Sequence, residues 1–165
     1  MTFTSRALPR HKRGQGLIIT GATEIFGAHT VLSGWTQDGT LCFLGFTDDL
    51  DMIAKYYPKA DIHQGTAPAD WQSCQSLYVE GTPFQIRVWQ ALQDIKPGVT
   101  TTYGELAQHL GKPKGARAIG GAVGANPISV RVPCHRVLHS GNAQVGYAWG
   151  ADVKKDLLAQ EAKSH

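Results

Sequence analysis

The chain has 165 residues, 42% of them hydrophobic and 18% charged, with a net charge of +3. That balance excludes a disordered or low-complexity chain and allows one ordinary domain or two small ones sharing a core. No stretch approaches the ~20 apolar residues that span a bilayer, and the start of the chain is too basic and too poor in apolar residues for a secretory signal, so a cytoplasmic protein is expected. Cys42, Cys74 and Cys134 are odd in number, far apart and in no metal-ligand spacing, which predicts reduced thiols and no metal site.

In chain order, residues 1–16 read as a basic flexible tail in which Arg6, Arg10, Lys12 and Arg13 supply the charge. Gly14-Gln15-Gly16 lacks the third glycine and the following helix of a dinucleotide fingerprint, and nothing else in the sequence calls for a cofactor. Residues 17–80 read as a small N-terminal α/β domain and a connector. Leu17 to Thr20, Ala28 to Leu32 and Leu41 to Phe46 are the predicted strands, with Asp38-Gly39 as a tight turn before the last. Thr47 to Tyr57 has the periodicity of a helix that Pro58 stops, and Lys59 to Tyr78 reads as connector.

Residues 81–165 are punctuated differently. Thr82-Pro83-Phe84-Gln85 is a capping box with proline at the first helical position, opening a helix to about Ile95. Thr102 and Glu105 repeat the box, and Gly111 and Pro113 end that second helix. A third helix, from about Lys114 to Asn126-Pro127, completes a helix-turn-helix. It is almost bald, carrying Ala116, Ala118, Gly120, Gly121, Ala122 and Gly124, with Arg117 projecting near its start. Such helices either pack tightly against another helix or approach a nucleic-acid groove closely, and spacing alone does not separate the two. From Lys96 to Arg136 there are six basic residues and one acidic, whereas from Leu17 to Glu80 there are two basic and eight acidic. The region from Lys96 to Arg136 is basic enough to suggest a polyanionic partner, with a solvated face as the commoner explanation of a charge cluster taken alone.

Ile128 to Val132 alternates in the manner of a strand, and Pro133 then sets Cys134 beside His135 at a chain corner. A thiol next to an imidazole is a candidate nucleophile–base pair, although a lone cysteine is by default an inert core residue. A last helix covers Asp152 to Ala162, where Glu161 continues the Val153, Leu157 stripe. By spacing alone, Glu161 is the solvated end of a frayed terminal helix.

Taken together, Gly81-Thr82-Pro83-Phe84-Gln85, Val88-Trp89, Thr102-Tyr103-Gly104-Glu105-Leu106-Ala107, Ala116-Arg117-Ala118-Ile119-Gly120, Asn126-Pro127, Val132-Pro133-Cys134-His135-Arg136-Val137 and Gly146-Tyr147 resemble the O6-alkylguanine-DNA alkyltransferases, the methylated-DNA–protein-cysteine methyltransferase family. The resemblance covers Gly81 to Glu161. It implies an α/β fold, with a shortened ribonuclease-H-like N-terminal domain followed by a mainly helical DNA-binding and alkyl-acceptor domain. The implied activity is single-turnover repair of O6-alkylguanine in double-stranded DNA, with O4-alkylthymine as a second candidate lesion, by a monomer associated with the nucleoid or nucleus. Cys134 would accept the alkyl group, with His135 as base acting through a water, Glu161 as its orienter, Asn126 fixing the active-site turn and Tyr103 assisting base flipping. Tyr103, Gly104, Ala116, Arg117, Ala118, Gly120 and Ser140 would contact DNA, with Arg117 filling the space of the extruded base. Val137, Tyr147, Ala148 and Trp149 would form the substrate pocket. A non-repairing module that binds alkylated bases is the alternative, against which the cysteine itself speaks; a cysteine hydrolase lacks an evident oxyanion hole.

Overall fold

A computed structural model of the protein describes residues 1–139 and 147–163. The chain divides into two compact units, Met1–Ile86 and Arg87–His165.

The first unit is built on a six-stranded mixed sheet comprising β1 (Thr2–Ala7), β2 (Ile18–Phe26), β3 (His29–Trp35), β4 (Leu41–Gly45), β5 (Asp61–Gln64) and β6 (Ser76–Gly81). The strands lie in the order β1-β6-β4-β3-β2-β5. The antiparallel run β2-β3-β4 is local, and the Thr36–Thr40 turn explains why: Thr36 donates its N–H to the Thr40 carbonyl at 2.9 Å, and Gly39 takes the positive φ of 84° that the turn needs. β4 is buried throughout, and Leu41, Phe43 and Leu44 share the core with Ile19, Leu32, Trp35, Ile53 and Leu77. Helix α1 (Asp51–Tyr56) begins later than the expected Thr47, because the Thr47 and Asp49 side chains accept from the N–H groups of Asp49 and Asp51 and shape a turn there instead.

Two expectations are corrected in this unit. The N-terminal segment is not a loose tail: Thr2–Ala7 pairs in parallel with Ser76–Gly81. An edge strand exposed on nearly every residue has no apolar alternation to betray it. The segment after it is tied down as well, since Gly14 donates its N–H to the buried Glu80 carboxylate at 2.7 Å and Arg13 reaches Gln85 at 3.2 Å. The stretch read as connector also contains β5, which pairs in parallel with β2 from Ile18 to Gly21.

The second unit takes up the rest of helix α2 (Pro83–Leu92), whose capping box closes in both directions: Gln85 donates its N–H to Thr82 Oγ1 and accepts from the Thr82 N–H. Strand β7 (Thr101–Thr102), helix α3 (Tyr103–His109) and helix α4 (Ala116–Gly124) follow, then a single 3-10 turn (Cys134–Arg136), strand β8 (Val137–Leu138) and helix α5 (Ala151–Lys163). Helix α3 starts where the Thr102 hydroxyl accepts the Glu105 N–H at 3.1 Å, and Gly111, at φ 74°, turns the chain after it. Side chains of α2 and of Gln93 just after it tie pieces of this unit together. Arg87 donates to the Leu110 carbonyl beyond α3, Trp89 to the Ala122 carbonyl in α4, and Gln93 to the Arg131 carbonyl.

Ile128 to Val132 is a folded turn rather than the expected strand. Val130 sits in the left-handed region at φ 69°, which breaks the alternation, and Val132 donates its N–H back to the Ile128 carbonyl at 3.0 Å. Asn126 fastens both ends of the turn, accepting the Ile128 N–H and donating to the Val132 carbonyl at 2.7 Å.

The close approach at Gly14 gives a test. At φ 88°, a Cβ there would stand 2.5 Å from the Ala60 backbone nitrogen, whereas one at Gly39 meets nothing within 4 Å. Gly14→Ala is expected to cost about 2–4 kcal/mol in urea denaturation and Gly39→Ala about 1 kcal/mol. Equal losses would contradict the fixed position of the segment before β2.

Candidate active site

Cys134 opens the one-turn 3-10 helix at the end of the Asn126-pinned turn and is 7% exposed. Burial pushes its thiol pKa up; hydrogen bonding to Asn126 and the charge of Lys154 pull the other way without overcoming it. At rest the group is therefore a thiol, and reaction requires a base.

His135 is fully buried on the same turn. Its Nε2 lies 3.0 Å from Glu161 Oε2. Glu161 stands near the end of α5, with 16% of its side chain exposed, and two groups converge on it. Arg136 donates to it through Nη2 at 2.6 Å and through Nε at 3.0 Å, while Arg136 Nη1 reaches the Ile95 carbonyl at 2.6 Å. Partial burial works against the charged form of Glu161. The hydrogen bonds and charges of His135 and Arg136 outweigh it and hold the carboxyl at about 2. Stability from this cluster is complete above the ordinary carboxyl value and is lost only as pH falls toward 2.

An ionised carboxylate can only accept, so His135 donates Nε2–H to it. In the neutral ring, Nδ1 is then the basic nitrogen. Burial lowers the His135 pKa, against the opposing pull of Glu161, and keeps the ring neutral at physiological pH. Nδ1 is itself buried and has no hydrogen-bond partner among the described residues. The site thus holds a buried thiol next to an imidazole with a fixed tautomer and an uncommitted lone pair.

Two contributors were not singled out from the sequence. Arg136 shares the carboxylate with His135. Lys154, one helical face with Glu161 at a spacing of seven, is buried and donates Nζ–H to the Val137 carbonyl at 2.8 Å, placing a cation near the thiol. The heptad spacing of Lys154 and Glu161 was the available signal. Lys154→Met is expected to raise the Cys134 pKa further and slow its alkylation by iodoacetamide at neutral pH by about three- to ten-fold, with recovery in alkali. An unchanged pH profile would remove Lys154 from the thiol's electrostatics.

The cavity at the thiol is lined by Val123, Gly124, Asn126, Ser129, Tyr147 and Ala148, and its volume of about 10 Å³ is roughly the room of one water. Tyr147 turns its hydroxyl into the protein near Cys134 and Ser129, and burial raises its pKa well above the ordinary value. Two residues expected in the pocket do not line this cavity. Val137 is fully buried and contributes its carbonyl to Lys154, and Trp149 donates its indole N–H to Ser129 Oγ at 2.7 Å. Ser140 lies outside the described residues, as does Gly146 of the Gly146-Tyr147 motif.

A second, open cleft of about 450 Å³ is lined by Tyr103, Ala116, Arg117, Gly120 and His139. Ala116, Arg117 and Ala118 are exposed, as is Gly104 in the first turn of α3. Among the described residues, no atom outside α4 itself lies within 4 Å of where a Cβ would stand on Gly121 or Gly124. These two positions on the small face of α4 are uncovered among the described residues, Gly120 lies against Tyr103 of α3, and Ile119, Ala122 and Val123 are buried. The Tyr103 pKa is raised, first by burial and then by the nearby Cys134, which keeps the phenol a hydrogen-bond donor at neutral pH.

Residues 83–163 match the family described as 6-O-methylguanine DNA methyltransferase, DNA binding domain. The methylated-DNA–protein-cysteine methyltransferase of Haemophilus influenzae is 50% identical over 85 residues, which are 52% of this chain and 48% of that protein. Its counterpart in Salmonella typhimurium is 54% identical over 81 residues, 49% of this chain and 47% of that protein. The chain spans about half the length of the curated relatives it matches. In structure, the O6-methylguanine methyltransferase of Mycobacterium tuberculosis superposes with a TM-score of 0.75 at 29% identity, over 90% of this chain and 95% of that one. The same organism's protein solved in complex with DNA gives 0.75 at 28% identity, over 87% and 93%. Residues 83–163 thus match the DNA-binding domain of the 6-O-methylguanine DNA methyltransferases, and the chain as a whole is similar in fold to the solved O6-methylguanine methyltransferases.

Proposed function

We propose that this protein repairs O6-alkylguanine in double-stranded DNA by moving the alkyl group, once and irreversibly, onto Cys134. The observation that carries the reading is the buried thiol beside a neutral His135 whose tautomer Glu161 fixes. Helix α4 would lie along the minor groove on its open small face, and Arg117 would occupy the gap left in the stack when the damaged base is extruded, offsetting a few kcal/mol of unstacking.

The Cys134 proton passes to His135 Nδ1 through a water, the sulfur attacks the alkyl carbon, and the S–C bond forms as the C–O6 bond breaks. The electron pair of that bond goes to the purine. Tyr103 meets the developing charge as a donor, and the proton taken by His135 is in net terms returned to the base, giving guanine. A thioether is left on Cys134. No group in the site can displace it, so each molecule acts once.

The test is the intact mass of the protein after incubation with duplex DNA carrying O6-methylguanine. One methyl group is expected per molecule, on Cys134 alone. Cys42 should stay unmodified, because full burial raises its thiol far above the ordinary value. A label mainly on another cysteine would overturn the assignment. Methylated DNA left intact beside unmodified protein would favour the binding module, and repeated turnover a hydrolase.

A further inference from the structure

We infer that His139 is a positioning residue for base extrusion, bracing the Tyr103 ring in the open cleft. The two residues meet because of the short ladder below them. Strands β7 and β8 pair in parallel, Thr101 with Val137 and Thr102 with Leu138, so the next step of the register sets Tyr103 beside His139. Their ring centroids are 4.9 Å apart with the planes inclined at 52°. That lies within the range in which aromatic pairs attract beyond simple burial.

On the α4 side, Gly120 leaves room for the same ring: a Cβ there would come 3.9 Å from Tyr103 Cδ1 and Cε1. At Gly120 the helix thus offers the Tyr103 ring no side chain, whereas His139 meets it with a ring of its own. Both rings line the cleft that Arg117 and Ala116 also border. His139 is exposed and takes no part in the Glu161 cluster, so the core of the unit does not need an imidazole at this position.

The ladder also gives the contact a mechanical meaning. Leu138 and Val137 lead straight back to the Cys134–Arg136 turn, and Thr102 caps α3. Tyr103 and the nucleophile are therefore joined by two residues of strand, and a restraint on the Tyr103 ring fixes the phenol relative to the thiol. Loss of the brace would let the ring rotate in the cleft, and the phenol would meet an extruded base less often.

This inference rests on the alkyltransferase reading, and the experiment separates the two. Fluorescence of 2-aminopurine placed at the target position of a duplex reads extrusion without any transfer. His139→Ala is expected to reduce the extrusion signal by about three- to ten-fold, the size such a ring pair carries, and to slow methyl transfer from duplex DNA in proportion. His139→Phe, which keeps a ring, should restore most of both. Alkylation of Cys134 by iodoacetamide should be the same in all three proteins. Extrusion by His139→Ala at the wild-type level would overturn the role, and so would an equal loss of iodoacetamide reactivity, which would mark a general disturbance of the fold. If the wild-type protein extrudes the base but transfers nothing, the proposed chemistry fails while the role of His139 is still read.

Discussion

The Glu161 carboxylate is the point on which the second unit's chemistry depends. One oxygen pair receives both His135 and Arg136, two neighbours on a single 3-10 turn, and Arg136 carries the restraint on to Ile95. Charges buried to this degree are costly unless paired, and removing one partner would leave the others uncompensated. The pairing therefore does more than close the end of α5. It selects the imidazole tautomer, and with it the nitrogen that can accept a proton.

The thiol itself is held in check. Burial favours the protonated form, while Asn126 and Lys154 oppose it, so reactivity arises when a base is available rather than from a standing thiolate. A thiol that is protonated, buried and lined by a cavity of water size reacts slowly, but measurably, with small electrophiles. The groups that would handle DNA sit apart from it in the open cleft, connected through the two-residue pairing of β7 with β8. Under the proposed function, recognition and chemistry are built on neighbouring pieces of one ladder.

Capping signals made the helices legible. Thr82 with Gln85, Thr102 with Glu105, and Gly111 mark real boundaries because each supplies a specific hydrogen bond or backbone angle. The Asp38-Gly39 turn was legible for the same reason. What stayed hidden depends on distant partners. Thr2–Ala7 becomes a strand only because β6 offers an edge, and Ile128 to Val132 loses its strand because Asn126 and the left-handed Val130 fold it back. Glu161 looked like a solvated helix end, since no local pattern reveals that Arg136, twenty-five residues earlier, comes to meet it. Spacing could not show that, among the described residues, Gly121 and Gly124 of the small helix face open space while Gly120 lies against Tyr103.

The most direct test of this account is the pH dependence of Cys134 alkylation by a small electrophile in the wild type and in Glu161→Gln. Loss of the carboxylate charge should leave His135 a weaker and less fixed base. The profile of the variant is then displaced to higher pH, with about a tenfold lower rate at neutral pH for each pH unit of displacement, or about 1.4 kcal/mol, and the two curves meet in alkali where hydroxide replaces the base. Superimposable profiles would mean that Glu161 anchors α5 without governing the nucleophile, and the coupling of carboxylate, imidazole and thiol would be wrong.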